Sequence, residues 1–217
     1  MTQVLETAEL EKHVVGEAAA ALVEDGMTIG LGTGSTVACF LPALARRSLD
    51  LRCVATSPQT GEAARRLGLR VEPFERIDRL DLAVDGADQV APSGWLVKGR
   101  GAAHTREKIV AAASERFVVI VSSEKLVEAL APPVPLEVLR FGAEATLASL
   151  APARRRDVAA SPDGGVIADY LGPVGEPAAL AARLAAAPGV VAHGLFAPGL
   201  ADDILVAFGD RVERRGP

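Results

Sequence analysis

Met27-Thr28-Ile29-Gly30-Leu31-Gly32-Thr33-Gly34-Ser35-Thr36 decides the fold. Its first half is a short apolar strand over 27–31, and its second half is a glycine-rich turn that opens a helical pattern over 36–47. The stretch before it, 7–24, reads as a helix, polar at its start, Ala-rich after Val14 and stopped by Asp25-Gly26. After it the alternation continues, with a strand over 51–55, a helix over 59–67 ended by Gly68, and a short strand over 71–73. An apolar strand over 80–84 then runs into Asp85, a helix covers 105–113, and the strongly β-prone Phe117–Val121 follows. Strands alternating with helices imply an α/β fold, a mostly parallel sheet covered by helices.

The rhythm changes at Pro132-Pro133-Val134-Pro135, a cluster that cannot continue a helix and marks a connection. Beyond it come a strand over 136–141, a helix over 143–150, a strand over 157–160, the turn Pro162-Asp163-Gly164-Gly165 and a strand over 166–170. A helix over 177–187, stopped by Pro188-Gly189, and a strand over 190–196 complete it. That β-α-β-β-α-β order is ferredoxin-like α+β. The expected division is a larger domain over 1–131, to which 202–217 returns through a strand at 204–208, and a small ferredoxin-like domain over 132–201.

The glycine turn leaves backbone N–H groups unpaired at a helix start, where positive potential gathers, so a phosphate or carboxylate fits there. In the turn Thr33-Gly34-Ser35-Thr36, Ser35 and Thr36 can add hydroxyl donors. A tight turn with a Ser or Thr helix cap is the alternative. A nucleotide P-loop needs a Lys before its Ser or Thr, and here Gly34 precedes Ser35. The glycines are spaced GxGxG rather than GxGxxG, so a small anion suits the turn better than a dinucleotide.

Acids stand at the end of the next apolar strand, in Asp85-Gly86-Ala87-Asp88, where ligands bind in open parallel sheets. Asp85 and Asp88 are placed to accept hydrogen bonds from sugar hydroxyls; a helix cap and a solvated acid are the plainer alternative. Lys98-Gly99-Arg100-Gly101 can bring backbone close to a ligand, with Lys98 available to stabilise charge developing on an oxygen. Glu107 suits a base that moves a proton between adjacent carbons, although Glu107 and Lys108 also fit an ordinary solvated helix face.

Composition removes several classes. The 23 Lys and Arg against 28 Asp and Glu give a net charge of −5 without a basic stripe, so nucleic acid is not an expected partner. The short run Arg154-Arg155-Arg156 is expected on a solvated surface. No apolar run spans a bilayer and the N-terminus lacks a signal-peptide pattern, so no membrane partner is expected. Cys39 and Cys53 form no disulfide framework and are expected to be small buried residues; a reducing cytoplasm fits. His13, His104 and His193 match no metal-ligand spacing and are expected in structural roles, with His104 nearest the candidate base.

Taken together, Gly30–Thr36, Asp85–Asp88 and Lys98–Lys108 resemble the type A ribose-5-phosphate isomerase family. Further likenesses are Ser123-Glu124-Lys125, Pro135-Leu136-Glu137-Val138, Pro188-Gly189-Val190-Val191 and Gly194-Leu195-Phe196, so the resemblance runs from about residue 8 to 208. It implies a Rossmann-like domain carrying a smaller ferredoxin-like one, assembled as a homodimer or homotetramer. It implies interconversion of D-ribose 5-phosphate and D-ribulose 5-phosphate in the pentose phosphate pathway, without metal or cofactor. The family's base falls on Glu107, its sugar-contacting acids on Asp85 and Asp88, and its glycine-loop lysine on Lys98. Its substrate turn falls on Thr33–Thr36, with Gly99, Arg100 and Gly101 beside the substrate and Lys12 and Lys125 near the phosphate. The chain departs from the pattern at Gln89, Arg100, His104 and Val121-Ser122, which bear on rate and sugar preference. The rivals are a non-catalytic sugar-phosphate-binding regulator, for which the ends leave no room for a helix-turn-helix module, and an acyl-CoA transferase-like enzyme with a glutamate nucleophile.

Overall fold

The computed structural model describes residues 2–216, with side chains from Glu6 onward. In chain order the elements are α1 (Thr2–Ala20), β1 (Thr28–Leu31), α2 (Ser35–Arg46), β2 (Arg52–Ala55), α3 (Pro58–Arg66) and β3 (Leu82–Asp85). The short strands β4 (Gln89–Val90) and β5 (Leu96–Val97) follow, then α4 (His104–Ala112), β6 (Phe117–Ser122), β7 (Val134–Val138) and α5 (Ala143–Ser149). The last elements are β8 (Ala153–Arg155), β9 (Val166–Tyr170), α6 (Pro177–Ala186), β10 (Val190–His193), β11 (Leu195–Phe196), β12 (Asp203–Phe208) and β13 (Arg211–Arg215).

Two compact units form. One takes the chain up to Ala87, Arg106–Leu126 and everything from Gly199; the other takes Asp88–Thr105 and Val127–Pro198. The boundaries differ from those expected: 88–105 and 127–131 fall in the second unit and 199–201 in the first. Little in the sequence marks the change: it is β5 pairing with the distant β11 that ties 88–105 to the second unit.

In the first unit six strands lie in the order β13-β12-β6-β3-β1-β2. All pairs are parallel except the β12–β13 edge. Ile29, Leu31, Val84, Val118, Ile120 and Leu205 point into one core with Val15, Val23, Phe40 and Leu44 of the segments around α1 and α2. The opposite face is closed at Gly30, where an added Cβ would lie 2.5 Å from Val110 Cγ1 on α4. Every residue of β6, Phe-Val-Val-Ile-Val-Ser, is buried, as a central parallel strand covered on both faces requires. Strand β13, Arg-Val-Glu-Arg-Arg, carries no hydrophobic alternation and was not expected; charge of this kind suits an edge strand.

The second unit holds a four-stranded antiparallel sheet, β10-β7-β9-β8, with α5 and α6 in the ferredoxin-like order, and a small sheet β11-β5-β4. Two expectations move here. The strand expected at 157–160 lies earlier, at Ala153–Arg155, paired in register with β9. The single strand expected over 190–196 is two, broken at Gly194, so that β10 joins one sheet and β11 the other. In the first unit Val71 makes an isolated bridge to Cys53 rather than belonging to a strand. Cys53 is buried as expected, and burial pushes its thiol up to about 12. Cys39 is only half-buried.

Candidate active site

The glycine turn sits at the C-terminal end of β1. Its backbone is pinned by Gly32 N–H donating to Val84 O at 2.9 Å and Ala38 N–H donating to Gly34 O at 3.0 Å. Helix α2 is capped by Gly34 at φ 129°, a conformation that favours glycine, and no side chain caps it. The Ser or Thr cap is therefore not how the helix starts. Gly34 and Ser35 are exposed, so the helix N-terminus is presented to solvent, as an anion site needs. Thr36 is buried, and the hydroxyls of Thr33 and Thr56 are hydrogen-bonded to each other, Oγ1 to Oγ1 at 2.8 Å.

Asp85, 3 % exposed, stands on the neighbouring strand and accepts through Oδ1 from Thr33 N–H at 3.0 Å and Gly86 N–H at 2.7 Å. The carboxylate thus braces the turn. Gly32 has to be glycine, because a Cβ would fall 2.1 Å from Asp85 Cγ. Glu107 lies in the first turn of α4 and is 3 % exposed, not on a solvated face. The next residue, Lys108, is held by burial well below its ordinary value, at about 8. Lys125 occupies a short 3-10 turn after β6 and pairs with Glu124 at 2.9 Å; Lys12, on α1, pairs with Glu9 at 2.5 Å.

The other candidates belong to the second unit. Asp88 Oδ2 accepts from Arg100 N–H at 2.9 Å, and its Oδ1 lies 3.6 Å from Arg100 Nε. Lys98 is 2 % exposed; its N–H donates to Gly194 O at 2.9 Å and its Nζ lies 5.3 Å from the Phe196 ring centre. Gly99 at φ 108° turns the loop, and a Cβ there would meet His104 Nδ1 at 2.8 Å, so His104 is a fully buried wall of the loop. Gly101 is exposed, and the Arg100 side chain is 78 % exposed. The structure therefore brings Thr33 together with Asp85 in one unit, and Asp88 together with the Lys98–Gly101 loop in the other.

Several residues beside these sites were not anticipated. Arg156 is no surface arginine: it pairs with Asp169 and donates to the carbonyls of Gly99 and Arg100. Glu137, buried on β7, accepts from Thr105 Oγ1 and Ser161 Oγ and so holds the first turn of α4. Glu11, buried on α1, accepts from Ser123 N–H at 2.8 Å and Gly209 N–H at 2.9 Å, fixing the turn that carries Lys125. Glu11 and Glu137 each carry one signal in the sequence, an acid on an otherwise apolar helix or strand face. Arg156 carries none. His13 is exposed on α1 and His193 buried on β10. Among the described residues no three His, Cys, Asp or Glu side chains are grouped to hold a metal, and no helix is long and apolar enough to cross a membrane.

Comparison with known proteins places this arrangement. The family model for ribose 5-phosphate isomerase A (phosphoriboisomerase A) matches residues 52–211. The ribose-5-phosphate isomerase A of Caulobacter sp. (strain K31) is 46 % identical, covering 97 % of this chain and all of the relative. A crystal structure of ribose 5 phosphate isomerase A from Neisseria gonorrhoeae superposes with a TM-score of 0.91 at 30 % identity, covering 97 % of each chain. That from Methanocaldococcus jannaschii superposes with a TM-score of 0.89 at 31 % identity, covering 95 % of this chain and 98 % of its own. The chain belongs to the ribose 5-phosphate isomerase A family.

Proposed function

We infer that the chain interconverts D-ribose 5-phosphate and D-ribulose 5-phosphate through a cis-enediol(ate), in the pentose phosphate pathway. We further propose that it does so in the cytoplasm as a homodimer or homotetramer. The observation that carries the chemistry is Glu107, a carboxylate 3 % exposed in the first turn of α4, just after a glycine loop whose lysine is itself buried. Desolvation is what makes a carboxylate basic enough to take a proton from carbon.

In this reading the exposed turn Gly34–Ser35 holds the phosphate, with Thr33, Thr36, Lys12 and Lys125 around it. Asp85 keeps that turn in shape and orients a sugar hydroxyl, as does Asp88. Glu107 removes the proton from C2 of the open-chain aldose, and the electron pair moves through C1 onto O1. Lys98 and the loop's backbone donors stabilise that oxygen. The proton on O2 then passes to O1, and Glu107 returns its proton to C1, so that O1 becomes the hydroxyl and C2–O2 the ketone. No electrons leave the substrate, so the step requires no redox partner, and a carboxylate base requires no Lewis acid. A regulator would bind without turnover, and a CoA transferase would form a glutamyl thioester; membership of an isomerase family argues against both.

The test is Glu107→Gln, which keeps size and hydrogen-bonding reach but removes the base. Turnover of ribose 5-phosphate should fall by about 100-fold or more, while direct binding of ribose 5-phosphate changes far less. Near-normal turnover would remove Glu107 from the mechanism. Failure of the unaltered protein to form ribulose 5-phosphate would remove the reaction itself.

A further inference from the structure

The loop Lys98–Ala103 has little regular structure of its own. Besides Asp88 and Gly194, it is held from β9 and from the residue that follows β8. Arg156 follows β8, and its backbone N–H is fixed by Ile167 O at 2.9 Å. Its guanidinium meets the Asp169 carboxylate with two hydrogen bonds, Nε to Oδ2 at 3.0 Å and Nη2 to Oδ1. Both side chains are only 18 % exposed. The remaining nitrogen, Nη1, donates to Gly99 O at 3.3 Å and Arg100 O at 3.0 Å. The division of labour is specific to arginine: the fork satisfies a carboxylate on one edge and leaves one NH2 with two hydrogens for two carbonyls. A lysine has a single nitrogen and cannot span both partners.

A trans peptide is planar, so its C=O and N–H point in opposite directions. With the carbonyls of Gly99 and Arg100 turned toward Arg156, the N–H groups of Arg100 and Gly101 are turned the other way. The first of these is seen to do what this predicts: Arg100 N–H donates to Asp88 Oδ2 at 2.9 Å. The same clamp therefore sets both the loop that begins at Lys98 and the orientation of the Asp88 carboxylate.

We propose that Arg156, aligned by Asp169, is a positioning residue for the isomerase reaction, orienting the glycine loop so that Lys98, Asp88 and the loop's backbone donors meet the substrate in working geometry. This rests on the substrate roles given above to Lys98 and Asp88. The Arg156 guanidinium bonds Asp169 and the loop carbonyls rather than the substrate, so it is not a catalytic residue.

The experiment compares the unaltered protein with Arg156→Ala, Arg156→Lys and Asp169→Asn by steady-state kinetics on ribose 5-phosphate, thermal unfolding, and amide hydrogen exchange over 98–104. Arg156→Ala should lose about 100-fold in kcat/KM, mostly in kcat, as expected when catalytic groups are displaced by about an ångström. Exchange in the loop should quicken while the strands of the four-stranded sheet stay protected. Millimolar methylguanidinium should recover a measurable part of the lost rate in Arg156→Ala and do nothing for the unaltered protein. Arg156→Lys should stay impaired despite its charge, and Asp169→Asn should fall between. Kinetic parameters within about twofold of normal in Arg156→Ala would overturn the proposal. So would a loss that matches the unfolded fraction and is not restored by methylguanidinium. If the unaltered protein does not turn over ribose 5-phosphate, the reaction assignment fails separately. The clamp is then judged on exchange alone, and unchanged loop exchange in Arg156→Ala overturns it.

Discussion

The turn Gly30–Thr36 is supported by the chain on either side of it: β1 enters it, α2 leaves it, and Val84 and Asp85 of the adjacent strand grip its backbone. The loop Lys98–Ala103 enters from a two-residue strand and is gripped by Asp88, Arg156 and Gly194, which lie in three separate stretches of sequence. Both loops use glycine to bring backbone close to a ligand. One grows out of an interior strand and is fixed by the next strand, through the Val84 carbonyl and the Asp85 carboxylate. The other, beyond the backbone bond from Lys98 to Gly194, depends on the side chains of Asp88 and Arg156. That difference predicts which substitutions damage each loop.

The largest effect should come from crowding the first loop where it meets its brace. In Gly32→Ala the new Cβ would sit 2.1 Å from Asp85 Cγ and Oδ1. Gly32 is bonded to Val84 O and cannot retreat, so the carboxylate must swing away from Thr33 and Gly86. Overpacking and two lost hydrogen bonds to a charged group should cost about 2–4 kcal/mol of stability in urea unfolding. A kcat/KM at least about 100-fold lower should accompany it, since the phosphate turn and the Asp85 brace move together. Near-normal kinetics would show that Asp85 does not hold the turn.

Gly194→Ala probes the second loop from its backbone side. A Cβ there would lie 2.2 Å from Lys98 O and 2.8 Å from Pro135 Cδ. Lys98 must shift, but a loop held by side chains yields more easily than one fixed by the next strand. The expected result is a fall of about 10-fold in kcat/KM with about 1–2 kcal/mol of stability lost, smaller on both counts than for Gly32→Ala. The reverse ranking would mean that the second loop is the stiffer of the two.

The same contrast explains what the sequence disclosed. The first loop was legible because its determinants are contiguous: an apolar strand, a GxGxG turn and a helical run, with Asp85 at the end of the next apolar strand. The ferredoxin-like order was legible for the same reason, from strand and helix periods and their turns. The small sheet β11-β5-β4 was not, because strands of two residues have no period to read. The second loop's support was not legible either. Arg154-Arg155-Arg156 looks uniform, and although the register sets Arg154 opposite Asp169, it is Arg156, just beyond β8, that bonds Asp169 while Arg154 and Arg155 stay exposed. Glu137 and Glu11 showed as acids on apolar elements, but their partners, Ser161 and Gly209, lie 24 and 198 residues away.

The smallest effect should follow from removing one hydroxyl beside the first loop. Thr56 is buried, and its Oγ1 lies 2.8 Å from Thr33 Oγ1. Thr56→Val has nearly the same shape and keeps the Thr56 N–H bond to Leu31 O at 2.9 Å. Thr33 still has Thr60 Oγ1 at 3.4 Å as a second hydroxyl neighbour. One hydroxyl pair is lost from a partly buried network, worth about 1 kcal/mol. The backbone bonds that shape the turn, from Gly32 to Val84 and from Thr33 to Asp85, do not involve Thr56 at all. KM for ribose 5-phosphate should therefore rise by no more than about threefold, and kcat should hold, because a small ground-state loosening of the phosphate turn leaves the proton-transfer groups in place. Steady-state kinetics on Thr56→Val beside Arg156→Ala makes the comparison direct: each change removes one side-chain hydrogen-bonding group beside one loop, and only the second should cost turnover. A tenfold loss of kcat in Thr56→Val would show that the first loop also hangs on its side chains, and the distinction between a loop fixed by the next strand and one held by side chains would not hold.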